Sequence, residues 1–141
     1  MTTGELLAEQ LDGTRDWTLK LLADFSGADW AFQPGAGLAH PLWLCGHMAV
    51  AQHLLIHLRC LNDDSVIDAA FAEHFPIGVA AASTAEHDYP PSERILEVMA
   101  DTHSKTLAAV RGMSDELLAQ PAFGNDGAIH PHYTDKLGAV S

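Results

Sequence analysis

The chain has 141 residues, and 19 acidic against 7 basic side chains leave a formal charge of -12 at neutral pH with histidine counted neutral. That length suits one domain around one core, residues 1–141, with no second domain required. The charge, offset nowhere by a Lys/Arg cluster, repels phosphate backbones and anionic bilayers and so argues against nucleic acid or a membrane as direct partner.

Thr2 followed by Glu5 is a capping-box start, and Leu7, Leu11, Thr14, Thr18, Leu21 and Phe25 step by fours and threes. This predicts a first helix to about Phe25, stopped by Gly27. The turn-rich stretch from Asp29 to Gly37 carries Trp30 and Phe32, which are expected to plug one end of the core. Pro41 suits the first turn of a second helix, which extends to about Leu61 and ends at Asn62-Asp63-Asp64.

Along that second helix Leu44, His47, Ala51, Leu54, Leu58 and Leu61 read as a seam facing a core, and His47 is its one polar member. An imidazole there requires a hydrogen-bond partner, a metal ion or a wet cavity, because an unpaired buried polar group costs roughly 1–3 kcal/mol.

From Asp64 to Pro91 the pattern is mixed, as in a long crossover with one short helical turn. Glu73-His74 and Glu86-His87-Asp88 lie there, follow no ligand-spacing rule and are assigned no role. Pro90-Pro91-Ser92 introduces a third long helix ending at Gly112. Its seam is Leu96, Met99, His103, Thr106, Val110 and Met113, which makes His103 a second inward histidine; a shifted set through Ile95, Thr102 and Ala109 fits almost as well. A short turn follows Ser114, a loop runs from Pro121 to Pro131, and a fresh helix begins near Thr134. With no alternating strand pattern, the elements predict an all-α antiparallel four-helix bundle whose fourth wall is short. A longer gene product or a second copy of the chain would close it, the latter making a homodimer.

His53 and His57 form an H-x-x-x-H pair on one face of the second helix, followed a turn later by Cys60. The pair is expected as surface or bundle-flank histidines, with metal binding the lesser alternative. Cys60 reads as a plain semi-buried cysteine more than an activated thiol. It lies about 22 Å along the helix from Cys45, too far for a disulfide. His130 and His132 are a local pair in the late loop, either solvated or folded back to complete a site with His47 or His103. Glycine-rich phosphate loops, G-x-S-x-G, C-x-x-C and H-E-x-x-H are all absent. Met1 to Glu5 lacks the basic start of a secretory signal and no apolar run nears the roughly 20 residues of a membrane span, so a cytoplasmic setting is expected.

Asp29-Trp30, Pro34-Gly35, the run from Pro41 to Ala49 with its Trp43-Leu44-Cys45-Gly46-His47 segment, Tyr89-Pro90-Pro91-Ser92 and Asp101-Thr102-His103 resemble the DinB-like superfamily, from about Leu6 to Pro121. The resemblance implies a four-helix bundle with a long crossover between helices two and three, a dimer, and a three-histidine metal site. Its first ligand maps to His47, and the other two belong to an H-x-x-x-H on helix four. No such pair follows Gly112, and the chain ends at Ser141, close to where that helix would begin. His103 takes no metal role from the resemblance. Two functions follow. One is a metalloprotein with a divalent zinc or nickel ion, acting on a low-molecular-weight thiol as a transferase or hydrolase-like enzyme. The alternative is a non-catalytic helical-bundle dimer that binds a small ligand or regulates a partner, with an incomplete metal site.

Overall fold

Glu5 N–H donates to Thr2 Oγ1 at 3.1 Å and Thr2 N–H to Glu5 Oε2 at 2.7 Å, the reciprocal pair that the spacing predicts. From this cap α1 runs over Thr3–Leu22 in a computed structural model that describes residues 1–124 and 134–141. The helix stops three residues short of Phe25, and Gly27, at φ +52°, opens a 3-10 turn over Gly27–Ala31. Of the two aromatics there, Trp30 packs into the core with Phe25 set edge-on to it at 5.6 Å. Phe32 is 67 % exposed and plugs nothing.

Helix α2 covers Pro41–Gln52, with the proline at its first position. It passes into a π-helical segment, His53–Leu58, and regains α geometry in α3, Arg59–Leu61. Asn62, left-handed at φ +52°, ends it at the place the sequence indicates. The crossover carries the short α4, Ala69–Ala72, whose cap is Asp68 accepting from Phe71 N–H at 2.7 Å. The third long helix is α5, Ser92–Arg111, followed by Gly112. Among the described residues two short helices follow, α6 over Asp115–Leu118 and α7 over Lys136–Val140, capped by Ser114 and Asp135. Among the described residues there is no strand, and Pro121 and Asp135 form an isolated antiparallel bridge.

Gly4 near the start of α1 lies on the carbonyls of Val110 and Met113 at the end of α5, and Asp12 further along meets His103 further back, so the two helices are antiparallel. Between α2 and α5 the contacts advance together, Gln52 to His103 and then His57 to Thr106, which makes this pair parallel. A parallel neighbour requires the chain to travel back along the bundle, and the crossover of residues 62–91 does so.

Among the described residues the core has two apolar clusters. One gathers Leu7, Ala8, Ile56, Cys60, Val110 and Val140; the other gathers Cys45, Ala49, Phe71, Phe75, Ile95 and Met99. Between them along α5 sit the buried polar residues Thr102, His103 and Thr106.

The seam expected on the second helix is not its buried face. Leu44 and Leu61 are exposed, and Ala51, Leu54 and Leu58 are half-buried. The buried stripe is Cys45, Ala49, Ile56 and Cys60, with Gly46, His53 and His57 beside it. Small residues fill it because a large neighbour takes the volume: a Cβ built at Gly46 would lie 2.2–2.4 Å from the ring of Phe75. The histidine pair expected on the flank is buried as well. His57 Nε2 meets Thr106 Oγ1 at 3.0 Å and His53 Nε2 meets Asp64 Oδ1 at 3.2 Å, so the two rings are committed to separate partners.

Gly46→Ala is therefore expected to destabilise the fold by about 1–3 kcal/mol, because the overlap with a fully buried ring outweighs the roughly 1 kcal/mol that alanine gains in a helix. Urea unfolding measures this, and Phe75→Leu in the same chain should recover part of the loss. A second expectation concerns pH. Burial holds His57 below the ordinary imidazole range, with Asp63 opposing and His53 and Lys105 adding to the shift. The unfolded chain then takes up a proton near pH 6.5 that the folded chain refuses, so this contribution is intact above that pH and is lost as the pH falls below it. One such group changes stability by at most about 1.4 kcal/mol per pH unit. Unfolding free energies at pH 7.5, 6.5 and 5.5 should decline less steeply in His57→Gln than in the wild type.

Candidate functional site

The start of α2 is fixed by a histidine used structurally. His40 is fully buried; its Nδ1 accepts from Trp43 N–H at 3.2 Å and its Nε2–H donates to Ala82 O at 3.0 Å. Tyr89 O–H donates to the same carbonyl at 2.8 Å, tying the crossover to the helix end. Trp43, held in this way, lies flat on the ring of His47, with centroids 4.5 Å apart and planes 9° from parallel.

His47 faces a cavity of about 360 Å³ between α1, α2, α5 and α7, and that volume is within the range of small-molecule sites. Leu11, Leu55, Met99 and Val140 supply apolar wall, and His47, Gln52, His103 and Arg15 supply polar groups. His47 Nδ1 is buried and has no hydrogen-bond partner among the described residues. Burial lowers the pKa of this imidazole, which keeps it in the neutral form that can accept a proton or ligate a metal. The π-helical segment adjoins the cavity through Leu55 and Ile56; such widened turns are often found beside functional sites.

His103, the second inward histidine of the sequence reading, is buried in the same cavity wall. Its Nε2 meets Asp12 Oδ1 at 3.0 Å, and its Nδ1 lies 3.5 Å from Gln52 Nε2. A carboxylate on one ring nitrogen fixes a tautomer with the proton on Nε2, leaving Nδ1 as the acceptor. Asp12, Arg15 and Gln52 carry no local signal in the sequence. Asp12 is 91 positions from its partner, and a contact that remote leaves no spacing to read. Arg15 forms no ion pair among the described residues, so a cationic group free of a salt bridge stands beside the cavity.

The other sequence candidates do not join this site. His53 and His57 serve the core, and Cys45 and Cys60 are free, buried thiols whose pKa burial pushes up to about 11. Cys60 is thus an ordinary buried cysteine, with no thiolate to offer at neutral pH. His130 and His132 lie outside the described residues. Among the described residues no group of three His, Cys, Asp or Glu side chains could hold a metal ion. The described donors therefore do not make up the three-histidine site that the resemblance implies. Among the described residues no helix is long and apolar enough to cross a membrane.

No curated protein and no solved structure shows significant similarity to the chain. Residues 10–138, from the middle of α1 into α7, match the family model of the DinB superfamily. With three long helices, a long crossover after the second and His47 one turn past Trp43, the chain belongs to the DinB superfamily.

Proposed function

We propose that this DinB-superfamily chain binds a small organic molecule in the cavity beside His47. The ligand's polar end would meet the neutral His47 imidazole and the Asp12–His103 pair, and its body the apolar wall. The observation that carries this is the buried, unpartnered Nδ1 of His47 in a cavity that also holds a carboxylate-oriented histidine. Such a nitrogen costs roughly 1–3 kcal/mol when empty-handed, and a ligand donor would recover it. A small thiol suits the site, since its S–H can donate to a neutral imidazole while its carbon skeleton occupies the apolar space.

A second reading adds a divalent ion. His47 offers one neutral nitrogen of the kind zinc or nickel takes, and a bound ion would lower the pKa of a thiol or water. The described residues give one such ligand and leave the set incomplete, so transferase or hydrolase-like chemistry stays with this second reading. Ring resonances report on both. Phenylmethanethiol, an alkyl thiol that keeps its S–H at neutral pH, should move the His47 and His103 signals and leave those of His53 and His57 in place, with binding weakened about tenfold or more in His47→Ala. Identical phenylmethanethiol affinity in wild type and His47→Ala would sink the cavity proposal. Zinc that fails to shift the His47 signal would remove the metal reading alone.

The homodimer belongs to the same proposal. Trp17 is 65 % exposed and Leu21 56 % exposed on α1, a large apolar surface for one chain to leave in water. Sedimentation equilibrium should return twice the 15.1 kDa chain mass, and Trp17→Lys should shift the population toward the single chain.

A further inference from the structure

The crossover brings two histidines together far from any regular spacing. His74 Nδ1 and His87 Nε2 are 2.8 Å apart, with ring centroids 5.0 Å apart and planes at 68°. Both rings are half-buried and held by their surroundings. His74 follows α4 with its N–H on Phe71 O, and its ring lies against Phe75. His87 closes a turn on Ser83 O, and its ring stands edge-on to Tyr89 at 4.5 Å. Tyr89 in turn is anchored through Ala82 to the fully buried His40.

Two imidazole nitrogens that converge in this way either share one proton or share one cation. From Asn62 to Pro91 the chain carries Asp63, Asp64, Asp68, Glu73, Glu86 and Asp88 and no Lys or Arg, so the local field favours a cation and repels an anion. We propose that His74 and His87 form a divalent-cation site of the zinc type, separate from the cavity at His47, with water completing the coordination. Two zinc–nitrogen bonds of about 2.0–2.1 Å in tetrahedral geometry set the nitrogens about 3.3 Å apart. The pair has to open by about 0.5 Å, a displacement that rotation of two side chains can supply. Imidazole nitrogen selects zinc, nickel or copper over calcium and magnesium, which take oxygen.

The ion would act as a clip. It joins His74, two residues past α4, to the segment before α5, across the turn whose Phe75 presses on Gly46, one residue from His47. Loading it stabilises the folded chain, since the two ligands are brought together by folding.

Calorimetric titration of the metal-stripped full chain with zinc chloride, paired with thermal unfolding, tests the site. The expected result is a zinc-binding component retained in His47→Ala and weakened at least about tenfold in His74→Ala and in His87→Ala, the scale on which even outer-sphere ligand changes act. Zinc should raise the unfolding midpoint of the wild type and leave those of the two crossover variants unchanged. His87→Gln guards against a folding defect, because it can keep a hydrogen bond to His74 while removing the imidazole; it should unfold near the wild-type midpoint without zinc and lose the zinc response. Retention of the component in both alanine variants, retention in His87→Gln, or no zinc binding by His47→Ala would each overturn the proposal.

Discussion

The contact of Phe75 with Gly46 sets the position of nearly everything else. A fully buried aromatic ring lies where a Cβ on α2 would stand, so the crossover descends onto the helix at a single register. That contact makes the stripe of Cys45, Gly46 and Ala49 the buried face of α2, and the helix's larger residues turn aside. His47, next to the glycine, is rotated out of the centre of the core and toward the cavity. The same contact anchors the long return that lets α2 and α5 run parallel. Removal of the ring's volume would leave a cavity of the kind that costs several kcal/mol, and enlargement of the glycine would force the crossover away.

A polar belt lies between the two apolar clusters and gives the bundle its specificity. His57 with Thr106, and His103 with Asp12 and Gln52, bind helices to one another through directional bonds that apolar packing could not supply. A shift of α5 by one turn would break both sets at once and strand buried imidazoles. The Asp12–His103 contact is half open to water on the carboxylate side, so its worth lies more in orienting the ring than in charge attraction.

Local chemistry was legible in the sequence and remote chemistry was not. The Thr2–Glu5 box, Pro41 at the head of α2, Asn62 at its end and Pro91 before α5 each act within one turn, and each stands where the pattern indicates. His47 could be singled out because it is polar among apolar neighbours, and the superfamily could be recognised from the residues around it. The buried face of α2 was misread because periodicity weights large side chains. Small residues under a large ring look like no seam at all. His53 and His57 fall on this same buried stripe, in three- and four-residue steps from Gly46 through Val50 to Cys60. The pairings of Asp12 with His103 and of His74 with His87 depend on the tertiary path, and neither has a spacing that sequence alone could supply.

Burial of polar atoms has a direction here. His40, His57 and His103 each find a partner for at least one ring nitrogen. His47 Nδ1, His53 Nδ1, Arg59 Nε and Thr102 Oγ1 are buried without one, and of these four residues His47 is the one that lines the cavity. At roughly 1–3 kcal/mol per orphaned group, each such atom is a noticeable share of the 5–15 kcal/mol by which a domain of this size is stable. A leucine at position 47 would remove the penalty and still pack on Trp43. An imidazole that stacks on Trp43, stays neutral and leaves a nitrogen unused is costly as structure and well suited to receiving a ligand.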